Sequence, residues 1–167
     1  MFTRRALVIG NAAAAAALAE DLSRVPGLLV GVASDVPGSH DAPDIVASAA
    51  APELAAEVLR RAIEIKVPVA DMHTPLHEAL ALDGLAREKQ QPVCVRCAEV
   101  ARLLGAAPDD VRAAALVTAA LARRLLTGDF RPHWGIWTPE RVAARAGMAH
   151  GLRQDLRERG VELGTRT

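Results

Sequence analysis

The 167-residue sequence predicts an α/β chain in which a parallel β-sheet is followed by a helical C-terminal region. Three observations predict it. Short runs of Ala, Val, Leu and Ile alternate with helix-length stretches up to Arg96. Gly and Pro punctuate those runs. Beyond Arg96 the alternation stops and helical texture takes over. This gives an α/β unit over residues 1–96 and a helical region over residues 97–167 packed on it, one compact domain overall.

Each element has its own signal. Ala6–Gly10 is short, apolar and closed by glycine, as a buried parallel strand is. Ala12–Arg24 has strong helix propensity and stops at Pro26-Gly27. Leu28–Ala33 reads as a second strand, Asp35–Pro43 as a loop of turn formers, and Asp44–Ser48 as a third strand. Pro52–Ile65 is a helix with Leu54, Val58, Ala62 and Ile65 on one stripe. Val67–Asp71 is the fourth strand. Thr74 is placed to cap a helix from Pro75 to about Gln90, and Pro92–Arg96 is the fifth strand. Helices follow at Cys97–Leu104, at Pro108–Thr127 with Gly128 as C-cap, from Thr138-Pro139 to near Gly147, and at Leu152–Arg159. Val161–Leu163 is expected to form a short terminal strand.

This alternation implies right-handed crossovers. The nine-residue loop Asp35–Pro43 cannot hold a helical crossover between neighbouring parallel strands. Either its two flanking strands are not neighbours, or a strand and a helix have been lost there.

Thr3-Arg4-Arg5 followed by Ala6–Ala19 has the texture of a twin-arginine or secretory signal, down to Ala17-x-Ala19. Read instead as first strand and first helix, it keeps the α/β pattern intact, and that reading is preferred. No stretch is long enough to span a membrane, so a membrane partner is excluded and a cytoplasmic location is expected.

Composition narrows the function classes. Half the residues are apolar, yet there are only two Phe, two Trp and no Tyr, so the core is packed from Ala, Leu and Val. Stacking platforms for single-stranded nucleic acid are not expected. Twenty basic residues balance twenty acidic ones, and eighteen of the twenty are Arg. Residues 1–95 carry 8 basic and 12 acidic side chains; residues 96–167 carry 12 and 8. Halves of opposite sign can attract each other within one chain or across a dimer, and the Ala-rich helix surface suits a homodimer.

Cys94 and Cys97 have C-x-x-C spacing. No second pair or matching His pair follows, so the favoured reading is two small apolar residues at the end of a buried strand. His73 and His77 stand at i and i+4, but no third ligand is evident, and no metal site is expected. In the loop Asp129–Trp137, which also holds His133, the two tryptophans Trp134 and Trp137 are read as lids packing over the core. "EVARLLGAAPDDVRAA" has helix-turn-helix texture, with Ala101, Gly105 and Val111 at the expected spacing. It keeps DNA binding or a scaffold role as a minor alternative.

Open parallel sheets bind ligands beyond the carboxyl ends of their strands. That rule selects Gly10, Asn11, Ser34, Asp35, Ser48, Asp71, His73, Arg96 and Cys97. The loop Gly10-Asn11-Ala12-Ala13-Ala14-Ala15 is the place for a dinucleotide fingerprint, with Asp35 where a ribose-binding acid belongs. Ala12 replaces the second glycine, and its Cβ crowds the approach of a pyrophosphate. A helix N-terminus still attracts phosphate there, more weakly. Gly10, Asn11, Ala12, Ser34, Asp35 and Ser48 are therefore the candidate cofactor-binding residues of a reduced Rossmann-like sheet, with NADP bound weakly or not at all. Asp71, His73 and Arg96 are the candidate acid–base and anion-binding residues.

The segments "ALVIG", "DIVASAAAPELAAEVLRRAIEIKVPVADM" and "ALDGLAREKQQPVCV" resemble saccharopine dehydrogenase/reductase-like proteins. That family's D-V-V-N-A-x-G-P pattern and V-x-Y-V-D-L strand are matched by Asp44–Pro52 and Val67–Met72, with Asp71 on the Asp. The tail "LLTGDFRPHWGIWTPERV" is similar to its G-x-x-x-x-x-x-G-V-x-x-P-E segment, matched by Gly128, Gly135, Ile136, Pro139 and Glu140. The resemblance implies NAD(P)-dependent hydride transfer on an amino-acid-like or imine substrate. It also implies a second α/β domain between the fifth strand and the C-terminal helices, and this chain lacks one. The expectation is a reduced member that binds a small molecule at the strand ends for non-redox cyclase, isomerase or lyase chemistry. The alternative is a surviving NAD(P)H-dependent reductase whose pocket wall comes from a dimer mate.

Overall fold

The computed structural model describes residues 3–10 and 12–165. Its strands are β1 (Arg4–Ile9), β2 (Leu28–Ala33), β3 (Ile45–Ser48), β4 (Val69–Asp71), β5 (Pro92–Cys94) and β6 (Gly135–Trp137). All pair in parallel, in the order β2-β1-β3-β4-β5-β6. The helices are α1 (Ala13–Ser23), α2 (Pro52–Glu64), α3 (Leu76–Leu80), α4 (Asp83–Glu88), α5 (Cys97–Leu103), α6 (Val111–Thr127), α7 (Pro139–Ala144) and α8 (Met148–Glu158). The expected Rossmann-like parallel sheet followed by a helical region is what forms. None of these helices is long and apolar enough to cross a membrane.

Side-chain alternation along the strands splits the core into two layers. Ala6, Val8, Ile45, Ala47, Ala70, Cys94 and Trp137 face α1, α5, α6, α7 and α8. Ile9, Val46, Val69, Val93, Val95 and Ile136 face α2, α3 and α4. Residues 4–23 thus supply a central strand and a core helix. Ala and Leu fill the first layer: α6 is buried almost all round, from Ala113 to Leu125. Its first turn, at Val111 and Arg112, is exposed, so the helix-turn-helix expectation has that turn of α6 to rest on.

The short loop after β2 resolves as the first alternative foresaw. β2 and β3 are not neighbours, because β1 lies between them. The chain crosses as coil with one 3-10 turn at Ser39–Asp41, burying Val36 in the second layer. Arg5 guides it by bonding Asp41 at 2.8 Å and the Ala42 carbonyl at 2.7 Å.

Four elements differ from expectation for local reasons. The fourth strand starts at Val69, because the Val67 amide turns back to the Ala62 carbonyl and left-handed Lys66 closes α2. The helix expected over 75–90 is two helices. Thr74 does not cap it; Pro75 holds the N-cap position, and Asp83 starts α4 while its Oδ1 accepts the Ile136 amide of β6 at 2.8 Å. β6 lies inside what reads as a loop around His133 and Trp134. Val161–Leu163 is not a strand: the Val161 amide closes α8 on the Leu156 carbonyl, and the Gly164 amide bonds the Gly105 carbonyl in the turn between α5 and α6.

The crossovers carry a further irregularity. The connection β1–β2 runs toward one edge on the α1 side; the next three run toward the other edge on the opposite side, so all four share one hand. The β5–β6 connection also runs toward that other edge, but its helices α5 and α6 lie on the α1 side. Its hand is opposite to the rest. The expectation of uniform handedness fails at this one crossover.

Candidate functional site

Ser48, Asp71 and Cys97 meet at the carboxyl ends of β3, β4 and β5, all fully buried. Asp71 Oδ2 accepts the Thr74 amide at 2.7 Å, which folds the chain after β4 into a tight turn. Burial pushes the Asp71 carboxyl up to about 6; the Thr74 amide and hydroxyl, the Ser48 hydroxyl and the Arg96 amide pull it partly back. Only the Thr74 amide makes a hydrogen bond of good geometry, and Asp71 Oδ1 and Thr74 Oγ1 are left without partners. Burial also pushes the Cys94 and Cys97 thiols far up. Both are inert packing groups of the first core layer.

The turn that Asp71 holds presents His73 at the surface. Across from it, Arg96 joins β5 to α5 with φ 54° and ψ 47°, a left-handed conformation costly for a non-glycine residue. His73 and Arg96 line one cleft of about 320 Å³ with Met72, Pro75, Glu99 and Arg102. The cleft walls desolvate the His73 imidazole and lower its pKa, which favours its neutral form. Glu99 is tied to Arg102, whose Nε donates to it at 2.9 Å, and this partner holds its carboxyl below the usual range. Among the described residues no acceptor takes a hydrogen bond from the Arg96 guanidinium. Arg96 and His73 thus line one cleft, where the Arg96 charge also acts on the Glu99 carboxylate.

Two of the three expected acid–base residues thus share a cleft. Asp71 lies beneath it, without access, and acts by holding the turn. Sequence reasoning missed Arg102 and Glu99. Their i, i+3 spacing, one turn past Arg96, is the signal that places them at the same strand end.

The candidate cofactor residues sit apart, at the ends of β1 and β2. Gly10 has φ 137°, and a Cβ there would lie 3.0 Å from the Ala49 carbonyl oxygen and 3.2 Å from Ala15 Cβ. This glycine is thus required by the chain's own packing. Asn11 lies outside the described residues. Ala12 is exposed at the start of α1, with no side-chain cap. Ser34 precedes Asp35, whose carboxylate accepts the Val36 amide at 2.8 Å and pairs with Arg61 of α2. Ser48, expected among them, is sealed in the Asp71 cluster. Trp137 is indeed a core cover, edge-on to Phe130 at 4.9 Å and beneath the Arg141 guanidinium. Among the described residues no group of three His, Cys, Asp or Glu could hold a metal ion. No protein-family model matches this chain, and no curated protein matches it.

Proposed function

We propose that this chain binds a small anionic metabolite, a carboxylate or phosphate, in the cleft between the β4 and β5 ends. Arg96 takes the anion and neutral His73 exchanges a proton with it, in a non-redox isomerase, cyclase or lyase type of reaction. The observation that carries this reading is Arg96: strained backbone at a strand end, with a guanidinium that among the described residues donates no hydrogen bond and lines the same cleft as the His73 imidazole. Strain of this kind concentrates where it positions a functional group.

The resemblance to saccharopine dehydrogenase-like proteins fits a reduced member of that family. The one crossover of opposite hand is β5–β6, the connection where that family carries its second domain. Removing a domain there leaves a direct link on whichever face the flanking helices already occupied. Three features count against a tightly held NADP: the Ala12 Cβ, the commitment of Asp35 to Arg61, and the burial of Ser48. We place the protein in the cytoplasm as a homodimer; its two buried cysteines are free thiols, as a reducing compartment keeps them.

Calorimetric titration of the full chain with inorganic phosphate and with citrate tests this reading. Binding of either is expected, weakened about tenfold or more by Arg96→Gln. Binding unaffected by that substitution would remove Arg96 from the site.

A further inference from the structure

One carboxylate already sits in the cleft at the β4 and β5 ends. Glu99 lines it together with Arg96 and Arg102. Each arginine stands three residues from Glu99 along the start of α5, and the Glu99 amide closes that turn on the Arg96 carbonyl at 2.8 Å. The Glu99 side chain is only 21% exposed, against 54% for Arg102, so its carboxylate lies against the protein and not out in water. Both of its oxygens are taken by one guanidinium: Arg102 Nε donates to Oε2 at 2.9 Å, and Nη2 donates to Oε1. Hydrogen bonds from Arg102 hold the Glu99 carboxyl below its usual range, and the charge on Arg96 adds to the effect. One carboxylate thus feels two guanidinium groups.

That carboxylate is replaceable. Its pair with Arg102 is an i, i+3 contact to a half-exposed arginine, a kind that adds little to stability in water. Among the described residues the Arg96 guanidinium donates no hydrogen bond, so Glu99 reaches it by charge alone. Apart from His73, the rest of the lining is Met72, Pro75, Ala98 and Pro108, side chains that suit a carbon chain.

Resting on the anion-binding reading of this cleft, we propose that Glu99 is a built-in stand-in for part of the ligand, and that the ligand class is a short carbon chain carrying two carboxylates. One carboxylate takes Arg96 beside His73. The other displaces Glu99 from Arg102 and accepts the same pair of hydrogen bonds. Six residues of helix set the two arginines about 9 Å apart along the axis, a span that two long side chains close on a diacid of about three to five carbons. A single anionic group on Arg96 meets the Glu99 charge and has no second group with which to displace it. Glu99 is therefore the residue that selects against it.

Sulfate and succinate separate geometry from charge, because each carries about two negative charges at pH 7, on one group or on two. Calorimetric titration of the full chain is expected to show succinate binding at least about tenfold more tightly than sulfate. Glu99→Gln weakens the internal competitor and is expected to tighten succinate about threefold or more. The double variant Glu99→Gln/Arg102→Gln keeps the net charge of the cleft and removes the second guanidinium. Its succinate and sulfate affinities are expected to lie within about threefold of each other. Circular dichroism is expected to be unchanged in both variants, since neither residue belongs to the core. Succinate no tighter than sulfate in the wild type, no tightening by Glu99→Gln, or a succinate preference that survives the double variant overturns the proposal. If sulfate still binds and is weakened by Arg96→Gln, the anion-binding reading stands without it. Sulfate binding that is absent, or indifferent to Arg96→Gln, removes both.

Discussion

Asp71 combines two demands on one carboxyl. It must accept the Thr74 amide to shape the turn under His73, and it must do so without water. Its pKa is raised from 3.8 to about 6. The sign of the effect on stability follows. A raised acid pKa favours the protonated folded form, so its stabilisation is full below 3.8 and is lost as pH rises through about 6. Asp71→Asn keeps an acceptor for Thr74 and removes the charge. Chemical denaturation between pH 4 and 8 is expected to show the variant gaining up to about 3 kcal/mol over wild type at pH 7, with no gain at pH 4. A variant equally destabilised at both values would mean that the carboxyl is charged and satisfied. At the cleft, anion binding by Arg96 is expected to raise the His73 pKa, seen by following its imidazole resonances with and without phosphate. His73 was legible as a strand-end histidine. The strain at Arg96 was not, because a left-handed backbone leaves no mark at a non-glycine residue.

Glycine works differently in different elements. Gly135 at the start of β6 has φ 103°, and a Cβ there would lie 2.5 Å from Asp83 Oδ1. The missing side chain is what lets Asp83 reach the Ile136 amide and close the edge. Gly135→Ala is expected to cost about 2 kcal/mol or more in urea denaturation. Gly10 is required by Ala49 in the same way, so its presence is no sign of a bound phosphate. Ala12→Gly, which restores the second glycine of a dinucleotide loop, is expected to leave NADPH binding undetected at about 1 mM. The strands and helices up to β3 were readable from hydrophobic period and turn residues. β6 was not, because its edge is secured by Asp83 and Arg141 from other elements. The break between α3 and α4 falls at the same residue: Asp83 serves β6 through Oδ1 and its own helix through Oδ2, which accepts from Arg87 at 2.7 Å.

At the scale of the molecule, the sheet order separates two groups of residues that the strand-end rule had put together. Gly10, Ala12, Ser34 and Asp35 lie at the β1 and β2 ends; His73 and Arg96 lie at the β4 and β5 ends, with the sealed Ser48–Asp71 cluster between. Linear spacing carries no information on that separation, which depends on β1 inserting between β2 and β3. The opposite hand of the β5–β6 crossover was hidden for the same reason, since only packing decides which face α5 and α6 occupy. On the proposed reading the chemistry lies at one cleft and the other strand ends serve packing. Backbone amide NMR of the full chain, titrated separately with NADPH and with inorganic phosphate, tests that division most directly. Phosphate is expected to move the resonances of Met72–Thr74 and Arg96–Arg102, while NADPH at about 1 mM leaves Gly10–Ala15 unmoved. Saturable NADPH shifts at Gly10–Ala15 and Asp35, with no phosphate response at Arg96, would contradict it.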